Sequence, residues 1–434
     1  MKPIWLHGRS LVALQAAGSS RDIAPPARAA MQVAAASDRS TLAALTWRSL
    51  LALVVAFAAK SIVGLDSVAS FAGFSLLTLP KIAGACFLVL LAAHMARAPR
   101  EYALEAASRL PLLALLVLAC VSTVTAMVPA TAFITTCRYA AYIAFFIGVA
   151  GLADDAGRRR QLVIVLTVGC AIAATFALAD LATHRKILAT TPFGDANDVA
   201  LLLASTWPLA IWLASTARRL RVAAWAAVVA IGLAIPLTMS RGALLALAAA
   251  AAWLLMVERR SVRMIVASAA ALVAVALFVI AVNPAPLRVG LAAKERIASA
   301  NVQNRLEAWR FAADRVVEHP LLGIGPGNFG AAYESHWRAN PGLHHLSVVH
   351  NSWLEIATEL GVPAFAAFVA FYALAFARMG RPSLPAPGDE GLALPLRLSM
   401  LIAAVAGFFV SVELTSTFWL LAGLATAVAR EPSP

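Results

Sequence analysis

The stretch SVVHNSWLEIATELG, residues 347–361, sets a histidine and an asparagine at the head of a long apolar run. A histidine titrates near pH 6.5, so a neutral imidazole at position 350 is a natural general base for a hydroxyl. Two arginines stand at equally suggestive places. Arg241, in TMSRGAL, occupies a tight turn between two apolar segments. A guanidinium there stays charged at any working pH and can grip phosphate through two parallel hydrogen bonds. Arg305, in NRLEAWR, lies on a charged helical stretch with Arg310 and Arg315, and spacing alone does not rank the three. Each candidate also has a plain reading: Arg241 snorkelling to lipid headgroups, Arg305 a solvated helix charge, His350 an interfacial or capping residue.

Other groups offer less. His336, His344, His345 and His350 lack any standard ligand spacing, so no metal is expected. Glu355 and Glu359 fall one helical turn apart. At about 100° per residue Glu359 lies about 180° round the helix from His350, a poor position for a partner, and both carboxyls are expected to face a helix-bundle interior. The glycines of GIGPGNF, residues 323–329, read as a turn in preference to a phosphate cradle. Cys86, Cys120, Cys137 and Cys170 all lie inside apolar runs without paired spacing, which argues against a disulfide framework.

Composition says what must hold these residues. The chain is 61% hydrophobic and only 13% charged, against about a quarter charged in soluble domains. Many apolar stretches approach the ~20 residues a helix needs to cross a bilayer, so the expected fold is an all-α integral membrane protein. The formal charge of +13 is spread over short arginine clusters between apolar segments. That pattern marks membrane topology and excludes a nucleic-acid partner.

Apolar segments lie near 45–63, 68–95, 111–128, 132–151, 161–182, 197–215, 222–239, 242–257, 263–282, 350–377, 393–411 and 414–429, a count of about twelve spans by length. Every even-numbered span before the last ends on a basic loop: Arg97, Arg100 and Arg109; Arg158 to Arg160; Arg218, Arg219 and Arg221; Arg259, Arg260 and Arg263; Arg378, Arg381 and Arg397. Cytoplasmic loops carry such an excess, which places both termini in the cytoplasm. Residues 1–40 read as a disordered cytoplasmic extension, 41–282 as spans one to nine, 283–349 as an extracytoplasmic loop domain, and 350–434 as spans ten to twelve with a short tail. The loop is far longer than an ordinary connection. Within it Val302, Leu306, Trp309, Ala313 and Val316 recur at helical spacing, Pro320 stops that helix, and a second short helix is expected near 330–338. Arg241, Arg305 and His350 all then land at the extracytoplasmic surface, and Arg138 in span four is expected to face the cavity.

In combination these motifs resemble the O-antigen ligase and polymerase superfamily. HNSWLEIATELGVPAF is similar to its signature of His, then Asn or Ser, nine residues, then Gly: here His350, Asn351 and Gly361. The family pattern often continues with Gly, Thr or Tyr where this chain has Ala364. NRLEAWRFAADRVVEHPLLGIGPGNF and TMSRGAL are similar to its loop block and its arginine turn, and together the motifs cover about residues 195–365.

The resemblance implies a glycosyltransferase with a GT-C-like membrane fold, acting at the periplasmic face of a Gram-negative inner membrane. Its donor would be a glycan on undecaprenyl pyrophosphate, its acceptor lipid A–core, with membrane lipids around it and no cofactor or metal. Arg241, Arg305 and His350 would be its catalytic residues, with Asn351, Arg310 and Arg138 binding substrate. O-antigen polymerases and protein O-oligosaccharyltransferases use the same donor and are the nearest alternatives. A lipid-linked glycan transporter is a more distant one, because the sequence shows no internal repeat of the kind transporters carry.

Overall fold

In lipid every backbone polar group must be satisfied within the protein, so apolar segments fold as helices. The computed structural model describes residues 40–57, 69–71, 74–183, 195–256, 302–340, 343–380 and 391–430. Among the described residues six helices are long and apolar enough to cross a membrane. They are α1 (Ser40–Phe57), α2 (Leu79–Arg97), α3 (Ala106–Val124), α4 (Pro129–Leu152), α5 (Ala156–Ala182) and α6 (Ala196–Thr216). Next come α7 (Arg221–Leu237) and α8 (Arg241–Met256), then α9 (302–318), α10 (Phe329–Ala339) and α11 (Ser352–Leu360). The chain ends in α12 (Val362–Arg378), α13 (Ala393–Ala406) and α14 (Ser416–Ala429). Helices α7, α8, α12, α13 and α14 are shorter but equally apolar. The protein is a multi-pass membrane protein. Its outer face carries exposed Val89, Val117 and Phe133, residues that lipid accepts and water would not. The interior packs Phe146, Phe368, Phe371, Phe418 and Trp419, with Phe371 stacked on Trp419 at 5.3 Å.

The two ends of the bundle differ. At one, Arg378 closing α12 reaches Glu105 and Ser108 at the head of α3, and Arg430 beyond α14 donates to the carbonyls of Glu101 and Ala103. At the other, the turn between α3 and α4 meets the segment joining α9 to α10. Met127 N–H donates to Ile324 O, and Val128 N–H to Asn328 Oδ1. Helices α9, α10 and α11 therefore cap the end opposite these arginines, with Ala308, Phe311, Ala312, Phe329 and Tyr333 as a small core of their own.

Several expected boundaries shift. Span two does not begin at 68: Ala69–Phe71 and Phe74–Leu77 pair as a short antiparallel ribbon. Helix α2 starts only at Leu79, where the Thr78 hydroxyl accepts Lys81 N–H and Pro80 occupies the first turn. A proline there suits a helix start, because it has no N–H to satisfy. The loop helix spans 302–318 as its spacing predicts, but its buried face carries Asn304, Ala308, Phe311 and Ala312, while Val302 and Leu306 are exposed. Span eleven stops at Ala406, and 407–415 form a turn instead of a last helical stretch. Residues 1–39, the expected ninth span at 263–282 and the start of the loop at 283–301 lie outside the described residues.

Candidate functional site

The apolar run from 350 to 377 is not one helix. Pro363 lacks an N–H, and its ring would clash with the carbonyl of Glu359 in a continuous helix. Gly361 breaks the run with φ +84°, and an added Cβ there would stand 2.4 Å from the Leu321 carbonyl oxygen. The freed Glu359 carbonyl accepts Gly325 N–H at 3.0 Å and the Ser122 hydroxyl at 3.2 Å. Helix α11 thus belongs to the cap, and the last spans begin at α12.

Glu359 explains the glycine turn as well. Its carboxyl oxygens accept the N–H groups of Gly327 at 2.6 Å and Phe329 at 3.1 Å. Ile324 N–H goes to Thr358 O, Gly323 N–H to His319 O, and Asn328 N–H to Gly325 O. The backbone donors of GIGPGNF are spent within the protein, so the turn braces α11 against the cap.

His350 is held in the left-handed region, φ +57°, a conformation that costs a non-glycine residue about 1–3 kcal/mol and persists only where its surroundings impose it. The impositions are visible. His350 N–H donates to Ser411 Oγ at 3.0 Å, and Trp309 Nε1 donates to Val349 O at 3.0 Å. Asn351 Oδ1 accepts Trp353 and Leu354 N–H, both at 3.1 Å, as the N-cap of α11. The imidazole is half-buried. Burial holds it below the usual histidine range, the Arg305 charge pushes the same way, and Asp195 opposes both.

Arg305 approaches from α9. Its Nη1 donates to Phe409 O at 3.1 Å. Burial lowers its pKa, while Asp195 and Asp198 near the start of α6 raise it. Arg241 opens α8, with an exposed side chain. Its neighbour Gly242 packs so closely that an added Cβ would lie 2.7 Å from Phe409 Cβ. The preceding Ser240 hydroxyl donates to Asn197 Oδ1 at 3.0 Å, tying this turn to the start of α6. Arg241, Arg305 and His350 therefore all adjoin the turn 407–415: through Gly242 against Phe409, at the Phe409 carbonyl, and at the Ser411 hydroxyl. Two guanidiniums, that of Arg241 exposed, and an imidazole beside one turn can bind an anionic group and take a proton from a neighbouring hydroxyl.

The other expected residues divide. Arg310 follows Arg305 by five positions, about 140° further round α9; it is 72% exposed and ion-paired with Glu307. It is not brought to the turn 407–415. Asn351 adjoins His350, but its carboxamide oxygen is used in the cap. Arg138 is exposed on α4 and is felt electrostatically by Glu359 and Glu413.

Residues 226–369 match the family model described as O-antigen ligase. Over that stretch the chain is similar to the O-antigen ligase family. No individual curated protein matches it. The matched stretch runs from α7 into α12 and holds Arg241, Arg305 and His350 together. It excludes Asp195, Phe409, Ser411 and Glu413. The sequence carries no signal for them: isolated polar side chains in an apolar region have no period, Phe409 contributes a backbone carbonyl, and Ser411 and Glu413 fall at the seam between two expected spans.

Proposed function

We propose that the chain is an O-antigen ligase, an inverting glycosyltransferase that moves O-antigen polysaccharide from undecaprenyl pyrophosphate to a hydroxyl of lipid A–core. The observation that supports this most is the convergence of Arg305 and His350 on one turn beside Arg241, within the matched O-antigen ligase stretch. A sugar on pyrophosphate already carries a good leaving group. His350 takes the proton from the acceptor hydroxyl, whose oxygen attacks the anomeric carbon as the bond to pyrophosphate breaks. Negative charge then grows on the departing lipid pyrophosphate, where preorganised guanidiniums of Arg241 and Arg305 stabilise it. A single in-line displacement inverts the anomeric centre. Metal would not be needed.

In this reading the GT-C-like bundle sits in the inner membrane of a Gram-negative bacterium. The capped end and site are periplasmic, and both termini are cytoplasmic. Helices α9 and α10 and the start of α11 roof the site, and Arg138 meets anionic lipid at its edge.

The test is transfer by purified protein from undecaprenyl-pyrophosphate-linked glycan, with EDTA present, to lipid A–core and to a second lipid-linked repeat in parallel. Glycan on lipid A–core is the expected result. Longer lipid-linked chains would make the protein a polymerase, transfer only to an added acceptor protein an O-oligosaccharyltransferase, and transfer to none a transporter.

A further inference from the structure

We infer that Glu355 is a positioning residue for His350, acting through the hydroxyl of Ser411. The inference rests on the base role proposed above. His350 N–H donates to Ser411 Oγ at 3.0 Å, and the Ser411 hydroxyl in turn donates to Glu355 Oε2. The same carboxyl oxygen accepts Val349 N–H at 3.2 Å. The peptide joining Val349 to His350 is thus held at both ends, its carbonyl by Trp309 on α9 and its N–H by Ser411. Glu355 receives both the serine that holds one end and the N–H of the residue before.

The side chain is 5% exposed, so it serves by fixing a backbone and not by meeting substrate. A left-handed histidine needs such fixing, because relaxation to an ordinary φ would swing its imidazole away from Arg305 and the acceptor. What the network requires of position 355 is an oxygen acceptor, not a charge. Burial, with Glu413 and Glu359 nearby, pushes the Glu355 carboxyl well up, while the bonds from Ser411 and Val349 pull it down.

The experiment uses full-length protein in detergent, with undecaprenyl-pyrophosphate-linked glycan and lipid A–core. Glu355→Leu, which fills the volume without an acceptor, and Ser411→Ala should each lower kcat about 10–100-fold, with donor KM within about twofold of wild type. Glu355→Gln, which keeps an oxygen, should retain most of kcat. The double variant Glu355→Leu with Ser411→Ala should be no slower than the slower single, because the two act along one path. A folded Glu355→Leu or Ser411→Ala at wild-type kcat, losses that multiply in the double, or Glu355→Gln as slow as Glu355→Leu would each overturn the inference.

If Glu355→Leu fails to fold, Ser411→Ala carries the test, since it leaves the buried carboxyl in place. A second readout needs no turnover: the rate at which diethyl pyrocarbonate modifies His350, followed by mass spectrometry. It should rise several-fold in Ser411→Ala, and an unchanged rate overturns the inference. His350→Ala is run alongside. If that variant turns over normally, the base reading itself fails. If it is inactive while Glu355→Leu and Ser411→Ala are normal, only the positioning role falls.

Discussion

The backbone N–H of His350 donates to the hydroxyl of Ser411 across 3.0 Å, although 61 residues separate them. Ser411 lies in the turn between α13 and α14, and two residues before it the Phe409 carbonyl accepts Arg305. One short turn between the last two helices therefore seats both the histidine and one of its arginines. Ser352 reinforces the seat: its hydroxyl donates to Val410 O at 2.8 Å and accepts Val412 N–H at 2.7 Å.

If His350 is the base, its removal should cost turnover and spare donor binding. His350→Ala is expected to lower kcat about 10²–10⁴-fold, with donor KM little changed. Steady-state rates against donor concentration check this.

The pH profile should follow the same group. A base works only when neutral, so activity falls as pH drops through its pKa. Burial and Arg305 depress that pKa below the usual histidine value of about 6.5. The acid limb of kcat/KM should accordingly lie below pH 6.5 and reach its plateau by neutrality. It should be absent from whatever activity His350→Ala retains. A limb centred above 7 would contradict the assignment.

Arg305 and Arg310 should separate cleanly. Arg305→Ala loses the bond to Phe409 and a guanidinium near His350, and kcat/KM should fall at least about tenfold, equivalent to about 1.4 kcal/mol. Arg310→Ala removes only an exposed charge paired with Glu307, and activity should stay within about twofold because surface ion pairs contribute little. Equal losses in the two variants would show that the α9 charges act together at long range.

The brace beneath the site should matter for stability. Gly361→Ala must place a Cβ against the Leu321 carbonyl at φ +84°, and a loss of roughly 1–3 kcal/mol is expected. Glu359→Ala leaves the Gly327 and Phe329 N–H groups without their acceptor, at about 1–3 kcal/mol for each group left buried. Glu359→Gln, which keeps one acceptor oxygen, should lose less. Thermal unfolding of the purified protein in one detergent would rank the three, and a Glu359→Ala transition at the wild-type temperature would count against the brace.

Much of this molecule is legible in its sequence. Apolar length announces a helical membrane protein, and helical spacing with Pro320 announces the cap helix. The motifs around Arg241, Arg305 and His350 are similar to those of the family whose model matches residues 226–369. All of these are local signals: a run of apolar residues, a repeat near 3.6, a proline that cannot continue a helix. Gly361 and Pro363 were equally visible, but hydrophobicity alone ran across them and joined α11 to α12. Only the tertiary structure decided which arginine of α9 reaches the turn that seats the histidine, and that the GIGPGNF donors serve Glu359. It alone also showed that Ser411 and Glu355 hold His350 in a left-handed backbone. The physical reason is the same in each case. Where a short polar side chain finds its partner depends on packing between segments tens to hundreds of residues apart, and neither composition nor period carries that distance.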